Sequence, residues 1–241
     1  MDFLTLFMSL RCTQACVHCI YGCSPKTGNH MSWEVFSRSL AIAQENKIPA
    51  LNFFGGEPLL NPQILPMLEK TLENDLSVIL ATNCRPFTDD RFLARFMDST
   101  ELYKKRIVVF TARDKFHLEF FDPAEIVSRL ESKNYEVRVT DYSDHTIALS
   151  EYNRKNVDLQ RLDTRFSCCA GAWTDYLGVL PDGGWTICPP SLLSFGNLFT
   201  HSLREITEFK RTLPLRCNLG CTECLKDFDG FRRQFDVDSQ C

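Results

Sequence analysis

The sequence predicts an α/β protein, a partial barrel of six βα units followed by a small cysteine-rich extension made of a β-hairpin and a short helix. Three observations lead there. Short apolar runs of strand length alternate with amphipathic stretches of helical spacing, the pattern of βαβ units with a parallel sheet. That alternation occupies only the first ~150 residues, too few for a closed eight-unit barrel of ~250. From about residue 165 the alternation stops and cysteines return at Cys168, Cys169, Cys188, Cys217, Cys221, Cys224 and Cys241. The expected division is 1–160 for the barrel and 161–241 for the extension.

The elements follow in order. Phe3 to Met8 reads as a first buried strand. Ser32 can cap a helix whose apolar face is Trp33, Phe36, Leu40 and Ala43. Leu51 to Phe54 is a second strand, and Pro62 opens a second helix through Leu65, Leu68 and Leu72. Val78 to Ala81 is a third strand, ending at Thr82-Asn83. Phe92, Leu93, Phe96 and Met97 suit a third helix, and Ile107 to Phe110 a fourth strand. Asp122-Pro123-Ala124-Glu125 combines a cap, a first-turn proline and an acid three residues after the cap. Val137 to Val139 form a fifth strand and Thr146 to Leu149 a sixth. The active site of such a sheet belongs at the C-terminal ends of its strands, where Asn83 and Thr111 fall.

Composition narrows the function. A hydrophobic content of 44%, with 19 Phe in 241 residues, supports an ordinary buried core. The net charge of -4 and the lack of any long Lys/Arg run argue against a nucleic-acid partner. No segment approaches the ~18 apolar residues of a membrane span, so no membrane association is expected. The N-terminal apolar run is short and begins with Asp2, unlike a signal peptide. Twelve cysteines in such a chain argue for metal or redox chemistry in a reducing cytoplasm rather than for disulfides.

Cys12, Cys16 and Cys19 stand at C-x3-C-x2-C spacing directly after the first strand. Three thiolates on one loop can hold three irons of a cubic [4Fe–4S] cluster and leave the fourth iron open. Taken alone, the triplet also suits part of a zinc site. One βα unit later, Phe53-Phe54-Gly55-Gly56-Glu57-Pro58 ends the second strand, with glycines that let a ligand approach the backbone. Together, in this order, the two motifs resemble the signature of the radical S-adenosylmethionine (SAM) superfamily. The resemblance implies a TIM-like partial barrel, a cluster on Cys12, Cys16 and Cys19, and SAM chelating the open iron. Reductive cleavage of SAM then gives a 5′-deoxyadenosyl radical, fed by a donor such as flavodoxin or ferredoxin.

The resemblance places Gly55, Gly56, Glu57 and Pro58 against the amino group of SAM and His18 near its adenine. Asn83 and Thr111 are positioned for its methionine or ribose part. Members of the superfamily often carry Ser or an acid on the fourth strand, and Thr111-Ala112-Arg113 departs from that. Arg138, Asp141 and Tyr142, near the fifth strand end, are the candidates for substrate contact or proton transfer; the alternative is a solvated strand end. Cys23, Cys84 and Cys241 read as free thiols.

In the extension, Asp182-Gly183 between two apolar runs signals a hairpin, and a short helix follows near Ser202 to Ile206. The order Cys169, Cys188, Cys221, Cys224 resembles the SPASM and shorter twitch extensions of radical SAM enzymes. That resemblance implies one auxiliary [4Fe–4S] cluster on those four residues, with Cys168 and Cys217 as substitutes and a structural zinc as the alternative. The implied function is oxidative modification, by dehydrogenation or cross-linking, of a peptide or natural-product precursor. A carbohydrate or cyclitol is the alternative substrate. Because the first strand starts almost at Met1, no leader-binding domain is expected ahead of it, which points to a small molecule or to a separate leader-peptide-binding protein. A plain electron carrier or a zinc-binding module are the rivals from other classes.

Overall fold

The computed structural model describes residues 1–16, 19, 21–26, 28–140, 176–186, 192 and 194–212. Its centre is a seven-stranded sheet in the order β5-β4-β3-β2-β1-β6-β7. The strands are β1 (Leu4–Ser9), β2 (Ala50–Gly55), β3 (Ser77–Ala81), β4 (Ile107–Ala112), β5 (Glu136–Thr140), β6 (Gly178–Val179) and β7 (Trp185–Thr186). All neighbours from β5 through β1 to β6 pair in parallel, and only β6 and β7 run antiparallel. This is the parallel-dominated α/β sheet expected of a partial barrel.

Helices return the chain between parallel strands. α1 (Trp33–Glu45) begins where the Ser32 hydroxyl accepts from Val35 N, and Phe36, Leu40 and Ala43 face inward as their spacing requires. α2 (Ile64–Glu73) starts two residues later than Pro62 implied. Asn61 is the reason: its amide donates to Met8 O and Met31 O at 2.9 Å each, and its carbonyl oxygen accepts from Gln63 N at 2.9 Å. That pins the chain in a turn through the proline. α3 (Asp90–Thr100) is capped by Asp89, and a four-residue helix, α4 (Lys115–Leu118), by Asp114. α5 (Ala124–Ser132) has Pro123 as its cap residue, while the Asp122 carboxylate both accepts from Ala124 N and pairs with Arg113. α6 (Leu203–Thr212) opens with a reciprocal cap, Ser202 N donating to Glu205 and Glu205 N to the Ser202 hydroxyl.

One sheet face is sealed and the other is not. Leu51, Phe53, Val78, Leu80, Ile107 and Val109 alternate onto the helix side and are fully buried. There Phe36 meets Phe53 edge-on at 6.2 Å, and Phe96 lies 4.9 Å from Phe87 and 5.6 Å from Tyr135. Each such side chain contributes about 1.5–3 kcal/mol by leaving water. The intervening residues, among them Asn52, Phe54, Ile79, Phe110, Glu136 and Arg138, point to the opposite face and are only partly covered or exposed.

The expected hairpin is present, with Gly183 N donating to Leu180 O and Asp182 Oδ1 accepting from Gly184 N. Its position was not legible: β6 pairs with β1 at Thr5 and Leu6, so the sheet continues past its first strand. Between two neighbours, β1 is buried along its whole length, Thr5 and Ser9 included. The sixth strand expected at 146–149 lies outside the described residues. Among the described residues, no helix is long and apolar enough to cross a membrane.

Candidate active site

The loop after β1 folds back over the C-terminal ends of the strands. Leu10 N bonds Asn29 O, Met31 N bonds Met8 O, and Cys12 N bonds Ser24 O, so residues 10–31 are tied to their own start. Cys12 and Cys16 are buried, at 8% and 9% exposure, and Cys19 is half-buried. All three are free thiols close enough to influence one another electrostatically. Among the described residues, no three His, Cys, Asp or Glu side chains converge as they would on a single metal ion. A cluster places each thiolate on a different iron, so it does not demand that convergence.

The second motif is where the loop is held. Gly56 N donates to Ser9 O and Glu57 N to Arg11 O, both at 2.8 Å. Gly55 has φ +132°, and a Cβ there would stand 2.1 Å from Ser9 O; one on Gly56 would meet Arg11 O at 2.6 Å and Cys23 Cβ at 2.9 Å. The glycines are therefore required by the cysteine loop itself, whatever ligand they also admit. The Glu57 carboxylate turns inward: wholly buried, it accepts from Leu59 N at 3.0 Å, the Thr82 hydroxyl at 2.8 Å and Asn83 N at 2.9 Å. Burial lifts its pKa to about 7 against the pull of those three donors. Pro58 begins a short 3-10 turn that Glu57 caps.

Asn83 completes the join. Its side-chain amide donates to the Thr13 hydroxyl at 3.0 Å and approaches Cys12 Sγ at 3.5 Å, while Arg85 reaches Thr13 O at 3.1 Å. So the segment just after β3 grips the loop at Cys12 and Thr13. Thr111 is buried at the end of β4, with its hydroxyl toward Cys84. Arg113 is held in a two-pronged pair with Asp122, 3.0 Å for each prong.

Arg138 lies apart from this group. Its guanidinium pairs with Glu136 and sits 5.4 Å over the Phe110 ring, with the side chain 59% exposed. It is an exposed pair on the open sheet face. His18, Asp141, Tyr142, Cys169, Cys188, Cys221 and Cys224, together with Cys168, Cys217 and Cys241, lie outside the described residues. A shallow pocket between α3 and α5, lined by Thr88, Asp90, Phe121, Glu125 and Arg129, includes none of the expected site residues.

Three residues of the site escaped the motif reading. Cys23, buried at 5% exposure, hydrogen-bonds the Cys19 thiol; that bond lowers the Cys19 pKa and raises that of Cys23. Tyr21 packs edge-on against Phe7 at 5.3 Å and Phe54 at 5.8 Å, flooring the loop with three rings. Gln14 is 2% exposed beside Cys16. Only a pattern of apolar or amide residues within a cysteine loop could have marked them, and that pattern is common in any folded loop.

The donor set fits an iron–sulfur cluster. Burial pushes the Cys12 and Cys16 thiols up to about 12, so neither ionises readily without a cation beside it, and a metal that binds a thiol deprotonates it. N–H groups of Gln14 and Asn83 already approach Cys12 Sγ at 3.5 Å, as ligand sulfurs require of their surroundings.

Comparison with known proteins agrees. Residues 6–111 match the family model described as Radical SAM superfamily. No match was found among curated proteins. Of solved structures, BtrN in complex with AdoMet and 2-DOIA is similar at 16% identity and TM-score 0.57, over 100% of this chain and 92% of that one. Streptococcus suis SuiB bound to S-adenosylmethionine is similar at 14% identity and TM-score 0.53, over 93% and 70%. SuiB bound to precursor peptide SuiA gives 12%, 0.51, 93% and 69%. Residues 6–111 thus match the Radical SAM superfamily model, in a chain whose fold is similar to that of these structures.

Proposed function

We propose that this protein is a radical SAM enzyme that abstracts hydrogen from a peptide or natural-product precursor and completes an oxidative modification, a dehydrogenation or a cross-link. The supporting observation is the join between the two motifs: the cysteine loop bears three free thiols and is bonded through Ser9 and Arg11 to the Gly55-Gly56-Glu57 strand end. When bound, the [4Fe–4S] cluster and SAM supply a reducing electron and a 5′-deoxyadenosyl radical.

The chain's own residues do the positioning. Cys12, Cys16 and Cys19 hold the cluster. Gly55 and Gly56 keep the strand end against the loop, and Glu57 and Asn83 lock β2, β3 and the loop in one register. The Phe7, Tyr21 and Phe54 rings exclude water beneath the loop. The open sheet face, which Phe54, Phe110 and Arg138 share, offers the substrate its surface. In this reading residues 161–241 form a twitch-like extension whose Cys169, Cys188, Cys221 and Cys224 hold one auxiliary [4Fe–4S] cluster, the electron acceptor for the substrate radical. A flavodoxin or ferredoxin supplies the first electron, and a separate leader-binding protein presents a peptide substrate.

A second reading, dehydrogenation of a small cyclitol or carbohydrate, draws on the match to BtrN, which spans nearly the whole of both chains. Anaerobic reconstitution followed by dithionite and SAM tests the class: the expected result is a brown protein that forms 5′-deoxyadenosine, and a colourless protein forming none refutes it. Iron analysis of the Cys12/Cys16/Cys19 triple alanine variant tests the auxiliary site, which requires about four irons to remain.

A further inference from the structure

Among the described residues of the cysteine loop, Gln14 is the most deeply enclosed polar side chain. It is 2% exposed, and its carboxamide oxygen accepts from the Cys16 thiol at 3.3 Å. Its Nε2, equally buried, has no hydrogen-bond partner among the described residues. A buried amide N–H left without its hydrogen bond is desolvated for no return, so the arrangement is unfavourable as it stands. The backbone N–H of the same residue meanwhile approaches Cys12 Sγ at 3.5 Å. Gln14 thus touches two of the three proposed ligand sulfurs.

The partnership with Cys16 changes when iron binds. A coordinated sulfur carries no proton, so it has nothing to donate to Oε1 and becomes purely an acceptor. The two ends of a carboxamide have nearly the same shape, and a half-turn of the amide exchanges them without repacking. The turn removes an oxygen–sulfur repulsion and gives the stranded N–H a partner. The geometry assigns Gln14 as a positioning residue of the reactive cluster: its side-chain N–H donates to Cys16 Sγ once that sulfur is bound to iron, and this N–H···S bond raises the reduction potential of the cluster. The inference rests on the radical SAM reading of the loop. Hydrogen bonds to sulfur stabilise the reduced, more negative state, which is how proteins tune such clusters.

The test compares wild type, Gln14→Leu and Gln14→Glu after anaerobic reconstitution, by EPR-monitored redox titration without SAM. Loss of the N–H shifts the reduction equilibrium about tenfold, so the midpoint falls by about 59 mV for this one-electron couple in Gln14→Leu. It falls at least as far in Gln14→Glu, which also adds negative charge. In the iron-free state Gln14→Leu unfolds at the same urea concentration as wild type or a higher one, because it removes an unsatisfied amide; a purely structural Gln14 would instead lower that midpoint and leave the potential unchanged. An unchanged potential in Gln14→Leu overturns the assignment. If that variant fails to hold a cluster, wild type labelled with 15N only at the glutamine side-chain amide decides: its reduced cluster shows a 15N coupling in pulsed EPR, and absence of that coupling overturns the assignment. A wild type that takes up no cluster at all refutes the underlying reading of the loop instead, and is recognised by its lack of colour.

Discussion

Replacing Gly55 with alanine puts a methyl group where the structure has backbone. At φ +132° the position lies in territory that residues with a Cβ rarely enter, at a cost of about 1–3 kcal/mol. The added carbon would also stand 2.1 Å from Ser9 O and 3.1 Å from Ser9 C. Since the obstacle is main chain, it cannot rotate away, and relieving it by moving the β1 end costs roughly another 1–3 kcal/mol. The Gly56 N to Ser9 O bond of 2.8 Å is the first to stretch. The expected total, about 2–6 kcal/mol, is a large part of the roughly 5–15 kcal/mol that stabilises a typical domain. Gly22 supplies the control: its φ is +61°, but a Cβ there meets nothing within 4 Å, so Gly22→Ala costs only the backbone penalty of about 1–2 kcal/mol. Urea unfolding of both iron-free variants under reducing conditions measures the difference. Iron content after reconstitution should fall with Gly55→Ala and hold with Gly22→Ala. Equal stabilities for the two variants would refute the claim that the strand end is shaped by the cysteine loop.

Glu57 predicts a pH dependence. Its pKa rises from 4.5 to about 7 on folding, so between those values the native state binds more protons than the unfolded one and stability falls as pH rises. The change amounts to about 3 kcal/mol across that window, is complete above it, and should be absent from Glu57→Gln, which mimics the neutral form; matching slopes of urea midpoint against pH in the two proteins would show that the carboxyl does not titrate there. Phe96→Ala empties a fully buried ring site beside Phe87 and Tyr135, and a loss of about 3–5 kcal/mol in unfolding free energy is expected. Arg138→Ala breaks only an exposed pair, so stability should change by less than about 0.5 kcal/mol. If turnover of the eventual substrate is also unchanged, Arg138 has no role in the chemistry.

Local rules carried most of the barrel. Ser32 caps the helix it precedes, as its position implies, because its hydroxyl answers the unpaired N–H groups of a first turn. At Asp122-Pro123 the cap residue is Pro123, one later than expected, although the Asp122 carboxylate still accepts from Ala124 N. The first five strands were legible because their apolar runs are bounded by those helices. The pairing of β6 with β1 was not. It joins residues about 170 positions apart, Thr5 with Gly178, and no periodicity in either segment encodes which distant edge a two-residue strand will take. The start of α2 slipped for a related reason: Asn61 bonds Met8 O and Met31 O, long-range contacts that override the preference of Pro62 for a first turn.

The site shows a deeper reason why motif reading stops short. Cysteine spacing names the ligands, since only certain residue types bind iron. It says nothing of which groups keep those ligands in place. Here that work falls to Ser9 and Arg11 carbonyls, to Asn83, and to a buried Glu57 whose carboxylate faces three donors rather than open space. The second motif is therefore a clasp for the loop that precedes it, besides the SAM-binding strand end proposed above. Substitutions in it should disturb iron loading before they disturb SAM affinity. Loss of activity in a Gly55, Gly56 or Glu57 variant thus identifies a SAM contact only where iron content is unchanged, whereas an open-face residue such as Arg138 can be tested on turnover directly.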